Sequence, residues 1–350
     1  MGLLSSFLVP LSVGARIVSL DAFEWVARPP MLLEVIERYR AQFTWMPNFA
    51  FNHLANTKPK DAEYDLRSMR AFISCSEPCK PEAFSRFVDV FGADGADDRR
   101  LQTCYAMAET VFAVTQSALG SPPRTLHLDG ALLDREGRIG IVDAGAPGAR
   151  GFLSNGGPLP GMEVAIARGA DRVRLAPGVS SEHAGEILVR GAYVFSGYYR
   201  NSEATAQAFD GDWYKTGDIG FVQGGELFVC GRIKEILIVH GRNYYANDIE
   251  DVVNSVGGVK PGRAVAISVF DPRTQSEEAV VIAETEISDR KTAATLRRNV
   301  KQAVFDRLEL TLQRVELVPP GWLVKTTSGK ISRKDNRERY LARVAAVPDP

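Results

Sequence analysis

At 350 residues the chain is long enough for two domains or one large one, and its 45% hydrophobic and 24% charged content excludes a disordered or fibrous protein. A net charge of −1, from 42 basic against 43 acidic residues, argues against a dedicated nucleic-acid binder.

The N-terminal residues Met1 to Ser6 fit a myristoylation pattern, and the apolar run to Ala15 resembles a signal-peptide core. No Lys or Arg precedes that run, and it is too short to span a bilayer, so no membrane span is expected. The expectation is a buried segment leading into a strand over Arg16–Leu20.

Residues 30–41 place Leu32, Leu33, Ile36 and Tyr39 on one helical stripe behind two prolines. An extended piece, Phe43 to Met46, ends at Pro47, and Asn48 is positioned to cap a second helix. Arg70 to Ser74 reads as a buried strand, with Glu77-Pro78 as the turn leaving it. Lys80 to Phe91 is amphipathic, with Phe84, Phe87, Val88 and Phe91 on one face. Gly92 to Arg100 is polar loop, and Leu101 to Thr110 is a strand-to-turn junction. Helices alternating with short apolar strands indicate an α/β unit.

Between about 120 and 160 the glycines multiply, which predicts a long loop or short hairpins and no packed helix. Strands resume at Met162–Ile166 and Gly185–Val189. The stretch Tyr214–Glu250 is richest in signal. It offers Asp218 in a Gly-flanked turn, a strand over Glu226–Cys230, a turn over Gly231–Glu235 and a strand over Ile236–Val239. Arg263–Phe270 and Ala279–Glu286 follow as strands, and Ser288 is the expected cap of a helix reaching Leu308. A last strand, Arg314–Leu317, precedes the basic, Gly-turned loop Lys325–Arg333.

The cysteines, Cys75, Cys79, Cys104 and Cys230, are scattered. Cys75 and Cys79 have no second pair or nearby His to complete a zinc site, which leaves reduced thiols in the cytoplasm.

Four segments, in order, resemble the adenylate-forming superfamily (acyl- and aryl-CoA synthetases, luciferase, non-ribosomal adenylation domains). They are Tyr105-Ala106-Met107-Ala108-Glu109, similar to Y-G-x-[AT]-E with Ala106 in place of Gly, and Tyr214-Lys215-Thr216-Gly217-Asp218, similar to Y-x-T-G-D. The third is Gly231-Arg232-Ile233-Lys234-Glu235 with Gly241-Arg242-Asn243 and Asp248-Ile249-Glu250. The fourth is Thr327-Ser328-Gly329-Lys330-Ile331-Ser332-Arg333. Within the superfamily the chain is most similar to fatty acyl-AMP ligases. Gly241-Arg242-Asn243-Tyr244-Tyr245 and Ser76-Glu77-Pro78 resemble their forms of two motifs. The Gly-rich stretch about 122–157 sits where they carry an insertion that disfavours CoA as acceptor.

The resemblance implies an α/β fold with α+β mixed sheets. Residues 1–231 would be part of the large domain, 232–235 a hinge, and 236–350 a small mobile α+β domain. It implies that a fatty acid carboxylate attacks the α-phosphorus of ATP, giving acyl-AMP and pyrophosphate, and that an acyl carrier protein then receives the acyl group. Charge gathering on phosphate oxygens calls for Mg²⁺ and a placed cation. Lys330 would be that cation and Glu109 the Mg²⁺ ligand. Tyr105 would stack on adenine, Ser76 and Glu77 would lie at its edge, Asp218 would accept from the ribose hydroxyls, and Arg232 would contact ribose or phosphate. Lys234 would be the hinge, and Phe43, Trp45, Phe49 and Phe51 lie where the family lines its acyl pocket.

The family's phosphate loop, ending in Pro-Lys-Gly, has no counterpart in the first hundred residues, and Met1-Gly2-Leu3 looks like the tail of the family's H-D-M-G-L segment. The resemblance therefore covers about the last three-fifths of a family member. The expectation is that the chain alone adenylates poorly or not at all. Two alternatives are a CoA-forming ligase of the same superfamily and a non-catalytic remnant or partner subunit.

Overall fold

The computed structural model describes residues 3–239, 242–271, 276–326 and 330–345. The chain divides into two compact units, one holding the residues up to Asp129 with Gly137–Cys230, the other Gly130–Glu136 with the chain from Gly231 onward.

The first unit contains a mixed sheet ordered Phe43–Met46, Ala71–Ser74, Leu101–Ala106, Ala113–Gln116, Gly157–Pro158. Its first three strands are parallel, and helices Asn48–Thr57 and Pro81–Phe91 make the crossovers that parallel pairing requires. Every residue of Ala71–Ser74 is buried, as in a strand covered on both faces. Pro81 pre-sets the first turn of its helix. That helix turns Phe84, Phe87 and Phe91 inward: Phe84 and Phe87 meet Phe51 and Phe72 at centroid distances from 4.9 to 5.2 Å, and Phe91 packs on Phe87 at 4.8 Å. Burying each ring contributes roughly 2–3 kcal/mol.

The second sheet is antiparallel, ordered Phe209–Asp210, Trp213–Gln223, Gly185–Gly191, Met162–Arg168, Asp171–Arg174, with Glu226–Arg232 also pairing with Trp213–Gln223. Val164, Ile187, Val189, Tyr214, Val222 and Leu227 form its buried face. A separate two-stranded ladder joins Thr125–Asp129 to Ala149–Leu153.

The second unit has the two-stranded pair Ile236–Val239 and Arg242–Tyr245, and the three-stranded sheet Ala264–Asp271, Ser276–Glu284, Arg314–Val318. Helices Ala246–Asn254 and Arg290–Leu308 bury Ile249, Val252, Val253, Leu296, Val300 and Val304 against them. Among the described residues no helix is long and apolar enough to cross a membrane.

Several local expectations are corrected. Gly130–Glu136 is a helix with Leu133 and Asp134 buried, inside the stretch whose glycines predict none. Thr216-Gly217-Asp218 lies within the strand Trp213–Gln223, where the glycine marks an irregularity in place of a turn. Asn48 does not cap its helix; its Oδ1 accepts from the Lys80 N–H at 3.2 Å, while Glu77 Oε2 takes the Phe49 N–H at 3.2 Å. Asp289, not Ser288, caps Arg290–Leu308 through the Thr292 N–H. The N-terminal stretch Leu4–Ser12 is helical, Leu3, Phe7, Val9, Leu11 and Val13 are exposed, and residues 16–20 form no strand.

Candidate functional site

Strand Leu101–Ala106 carries Tyr105, and strand Trp213–Gln223 carries Asp218. The Tyr105 hydroxyl donates to Asp218 Oδ2 at 2.6 Å, with the two residues only 8% and 6% exposed. The local sequence explains how Asp218 reaches this position. The ladder with Gly185–Gly191 pairs Lys215 with Leu188 and Ile219 with Glu186, so Thr216, Gly217 and Asp218 stand opposite Ile187 alone. Such a bulge re-aims side chains. Gly217, at φ +71°, supplies the left-handed residue it needs. Thr216 Oγ1 then donates to Ile187 O at 2.7 Å and accepts the Asp218 N–H at 3.1 Å, while Glu186 Oε1 accepts the Gly217 N–H at 3.1 Å.

Glu109 lies in the 3₁₀ turn Ala108–Thr110 that follows Tyr105. Val111 comes next at φ +64°, ψ −49°, and the Phe112 N–H donates to Thr110 O at 2.6 Å. This is a γ-turn of the rare, strained form. The Phe195 N–H donates to Glu109 O at 2.7 Å, and the Tyr198 hydroxyl donates to Glu109 Oε1 at 3.3 Å. Tyr198 and Tyr214 bring their hydroxyls to 3.5 Å. Burial, then the bond to Tyr198 and the negative charge of Glu109, push the Tyr214 phenol well above its ordinary range, so it is a neutral donor.

Tyr105, Glu109 and Asp218 are thus gathered on the first unit, with Tyr198 and Tyr214 interleaved. Among the described residues no group of three or more His, Cys, Asp or Glu is arranged to hold a metal. A single carboxylate at Glu109 suits Mg²⁺, which keeps several waters and takes its remaining oxygens from substrate phosphates.

Ser76 and Glu77 leave strand Ala71–Ser74, Ser76 exposed in the left-handed region at φ +72°. A non-glycine residue there is uncommon and marks a specified turn. Beneath it the Cys79 thiol donates to Ser74 Oγ at 3.3 Å, and burial pushes its pKa up to about 12. All four cysteines are thiols.

The four aromatics of the expected acyl pocket separate. Phe51 is fully buried core, whereas Phe43 stacks on Trp45 at 6.5 Å and Trp45 meets Phe112 edge-on at 6.2 Å. Phe49 packs on Trp25 and His53.

Arg232, Lys234 and Lys330 belong to the second unit, and all three are exposed. Residues 240–241 and 327–329, which hold Gly241 of the hinge motif and Thr327, Ser328 and Gly329 of the lysine loop, lie outside the described residues. The loop's flanks are closed by the Thr326 N–H on Lys330 O at 2.7 Å and by a bridge between Lys325 and Ile331. Fully buried Asn336 bonds Val324 N, Val324 O and Ser332 O at 2.7 to 2.9 Å.

Arg333 sits between two carboxylates, 2.6 Å from Glu235 and 2.7 Å from Glu250, and also donates to Asn247 at 2.6 Å. Burial pushes the Glu250 carboxyl up to about 7 against the pull of Arg333. Neither Arg333 nor Tyr198 stands out by residue type, since each reads as an ordinary surface side chain until its partners are placed.

A family model described as AMP-binding enzyme matches residues 1–199. The long-chain-fatty-acid–AMP ligase FadD26 of Mycobacterium bovis is 32% identical over 97% of this chain and 60% of its own length. The medium-chain-fatty-acid–[acyl-carrier-protein] ligase JamA of Moorena producens is 31% identical over 97% of this chain and 59% of its own. A solved structure from work on the fatty acyl-adenylate ligases of E. coli and L. pneumophila superposes with a TM-score of 0.88 at 26% identity, covering 99% of this chain and 61% of that one. The chain therefore spans about three-fifths of the length of these relatives.

Proposed function

Because the chain belongs to the AMP-binding enzyme family, we propose that it is the nucleoside-binding and lysine-bearing part of a fatty acyl-AMP ligase. The buried bond between Tyr105 and Asp218 carries this reading, since it holds ready a carboxylate of the kind that accepts from a ribose diol. In the reaction a fatty acid carboxylate oxygen attacks the α-phosphorus of ATP. The bond from that phosphorus to the bridging oxygen breaks, and pyrophosphate leaves with the electron pair.

Asp218 accepts hydrogen bonds from the ribose hydroxyls. Tyr105 holds that carboxylate and stacks on adenine, beside the turn at Ser76 and Glu77. Arg232 contacts ribose or phosphate, Lys234 is the hinge, and Lys330 neutralises the fatty acid carboxylate and the α-phosphate. Glu109 would hold Mg²⁺, which when bound would supply charge neutralisation on the phosphates. The acyl acceptor is an acyl carrier protein, a reading supported by the name of JamA. The four thiols fit a reducing cytoplasm.

The test is binding of a non-hydrolysable acyl-adenylate analogue by calorimetry, with Asp218→Ala beside the wild type. Binding that the substitution weakens at least tenfold supports the reading, and binding unaffected by it sinks the assignment of Asp218. With ATP and fatty acid supplied, carrier protein and CoA are then compared as acceptors. Preferential transfer to CoA would replace this acceptor with the CoA-forming alternative.

A further inference from the structure

We infer that Tyr198 is a positioning residue for the cation-binding carboxylate, its hydroxyl holding Glu109 Oε1 so that the carboxylate is aimed before a divalent cation and its nucleotide arrive. This rests on the reading of Glu109 given above.

Glu109 is held at two points by one short segment. Its backbone oxygen takes the Phe195 N–H at 2.7 Å, and its carboxylate takes the Tyr198 hydroxyl at 3.3 Å. Phe195 and Tyr198 also pack on each other at 4.9 Å, which stiffens the segment that supplies both donors.

Donor and acceptor roles then follow from proton count. An ionised carboxylate only accepts, so the single Tyr198 proton goes to Glu109. Tyr214 must therefore donate its own proton to the Tyr198 oxygen, 3.5 Å away. Tyr214 is buried at 5% exposure and braced edge-on by Phe195 at 5.3 Å. The relay Tyr214 to Tyr198 to Glu109 is thus anchored in the core at one end and presents a carboxylate at the other.

The far side of Glu109 is equally determined. Val111, β-branched and at φ +64°, occupies a conformation that persists only where its surroundings leave no alternative. A carboxylate whose backbone and rotamer are both fixed beforehand loses less freedom when it meets a cation.

The experiment measures Mn²⁺–ATP binding to the full chain through the electron paramagnetic resonance signal of free Mn²⁺, for wild type, Tyr198→Phe, Glu109→Gln and the double variant. Tyr198 is 40% exposed, so its phenylalanine variant should keep the fold, which the urea midpoint checks. The expected result is about tenfold weaker binding for Tyr198→Phe, as for loss of a hydrogen bond to a charged group. In the Glu109→Gln background the same substitution should change affinity by less than twofold.

Tyr198→Phe binding within twofold of wild type, or an equal loss in both backgrounds, overturns the role of Tyr198 and leaves the Glu109 reading in place. Wild-type binding that Glu109→Gln does not weaken, or no Mn²⁺–ATP binding at all, overturns the Glu109 reading and this inference with it.

Discussion

Tyr105 and Asp218, 113 positions apart in the chain, meet through a 2.6 Å hydrogen bond that ties the mixed sheet to the antiparallel one. Tyr105→Phe keeps the ring and removes the donor beside a buried carboxylate. It should cost roughly 1–3 kcal/mol, the range for losing a bond to a charged group. Urea unfolding should show a lower midpoint at unchanged slope. An unchanged midpoint would show that the bond contributes nothing net.

Val111 is the reverse case, a residue whose own backbone opposes the fold. Val111→Gly removes the side chain from a γ-turn at φ +64°. After allowing for glycine's greater freedom in the unfolded chain, it should stabilise by roughly 0.5–1 kcal/mol. Thermal unfolding measures this, and a lower midpoint would mean that the valine methyls pack well enough to outweigh the strain.

Asn336 closes both sides of the lysine loop from a fully buried position. Asn336→Ala leaves Val324 N–H and C=O without their carboxamide partner, at a cost of roughly 2–4 kcal/mol. Hydrogen exchange should accelerate first at Val324 and Ser332. Unchanged exchange at both amides would contradict this account of the loop.

Glu250 makes stability depend on pH with an unusual sign. Its folded pKa is raised to about 7 by burial, above the ordinary 4.5. The groups facing it are Arg333, Glu235 and the Ala266 N–H. A raised carboxyl contributes stability that is fully present below pH 4.5 and lost as pH rises through 7. Wild type should therefore lose roughly 3 kcal/mol relative to Glu250→Gln across that window. Urea unfolding at several pH values tests it, and a flat difference rules it out.

Much of the framework is legible because it rests on short-range patterns. Ala71–Ser74 and Ile236–Val239 are apolar runs bounded by turn residues, and Pro81 with its phenylalanine stripe announces a helix. The motif residues fall on recognisable segments too, with Tyr105 at a strand end and Glu109 in the turn after it.

What escapes is decided by partners distant in sequence. Thr216-Gly217-Asp218 has turn residues, yet the ladder on either side carries it through as a bulge. Asn48 has the chemistry of a cap, but its carboxamide is claimed by the Lys80 backbone. Gly130–Glu136 is too short for helix propensity to show, and forms because Leu133 finds a buried surface. The tyrosine relay is invisible for the same reason, since Glu109, Tyr198 and Tyr214 come from three separate segments.

Arg333 also bears on the order in which the second unit assembles. Its guanidinium is compensated only when the segments carrying Glu235 and Glu250 have both arrived. A charge stripped of water before that moment would be uphill, so these ion pairs should close on the native side of the folding barrier. Substituting Arg333 should then leave the refolding rate nearly unchanged and accelerate unfolding, a φ-value near zero by stopped-flow. Seen this way, the guanidinium is a latch that governs how long the second unit stays folded rather than how fast it forms.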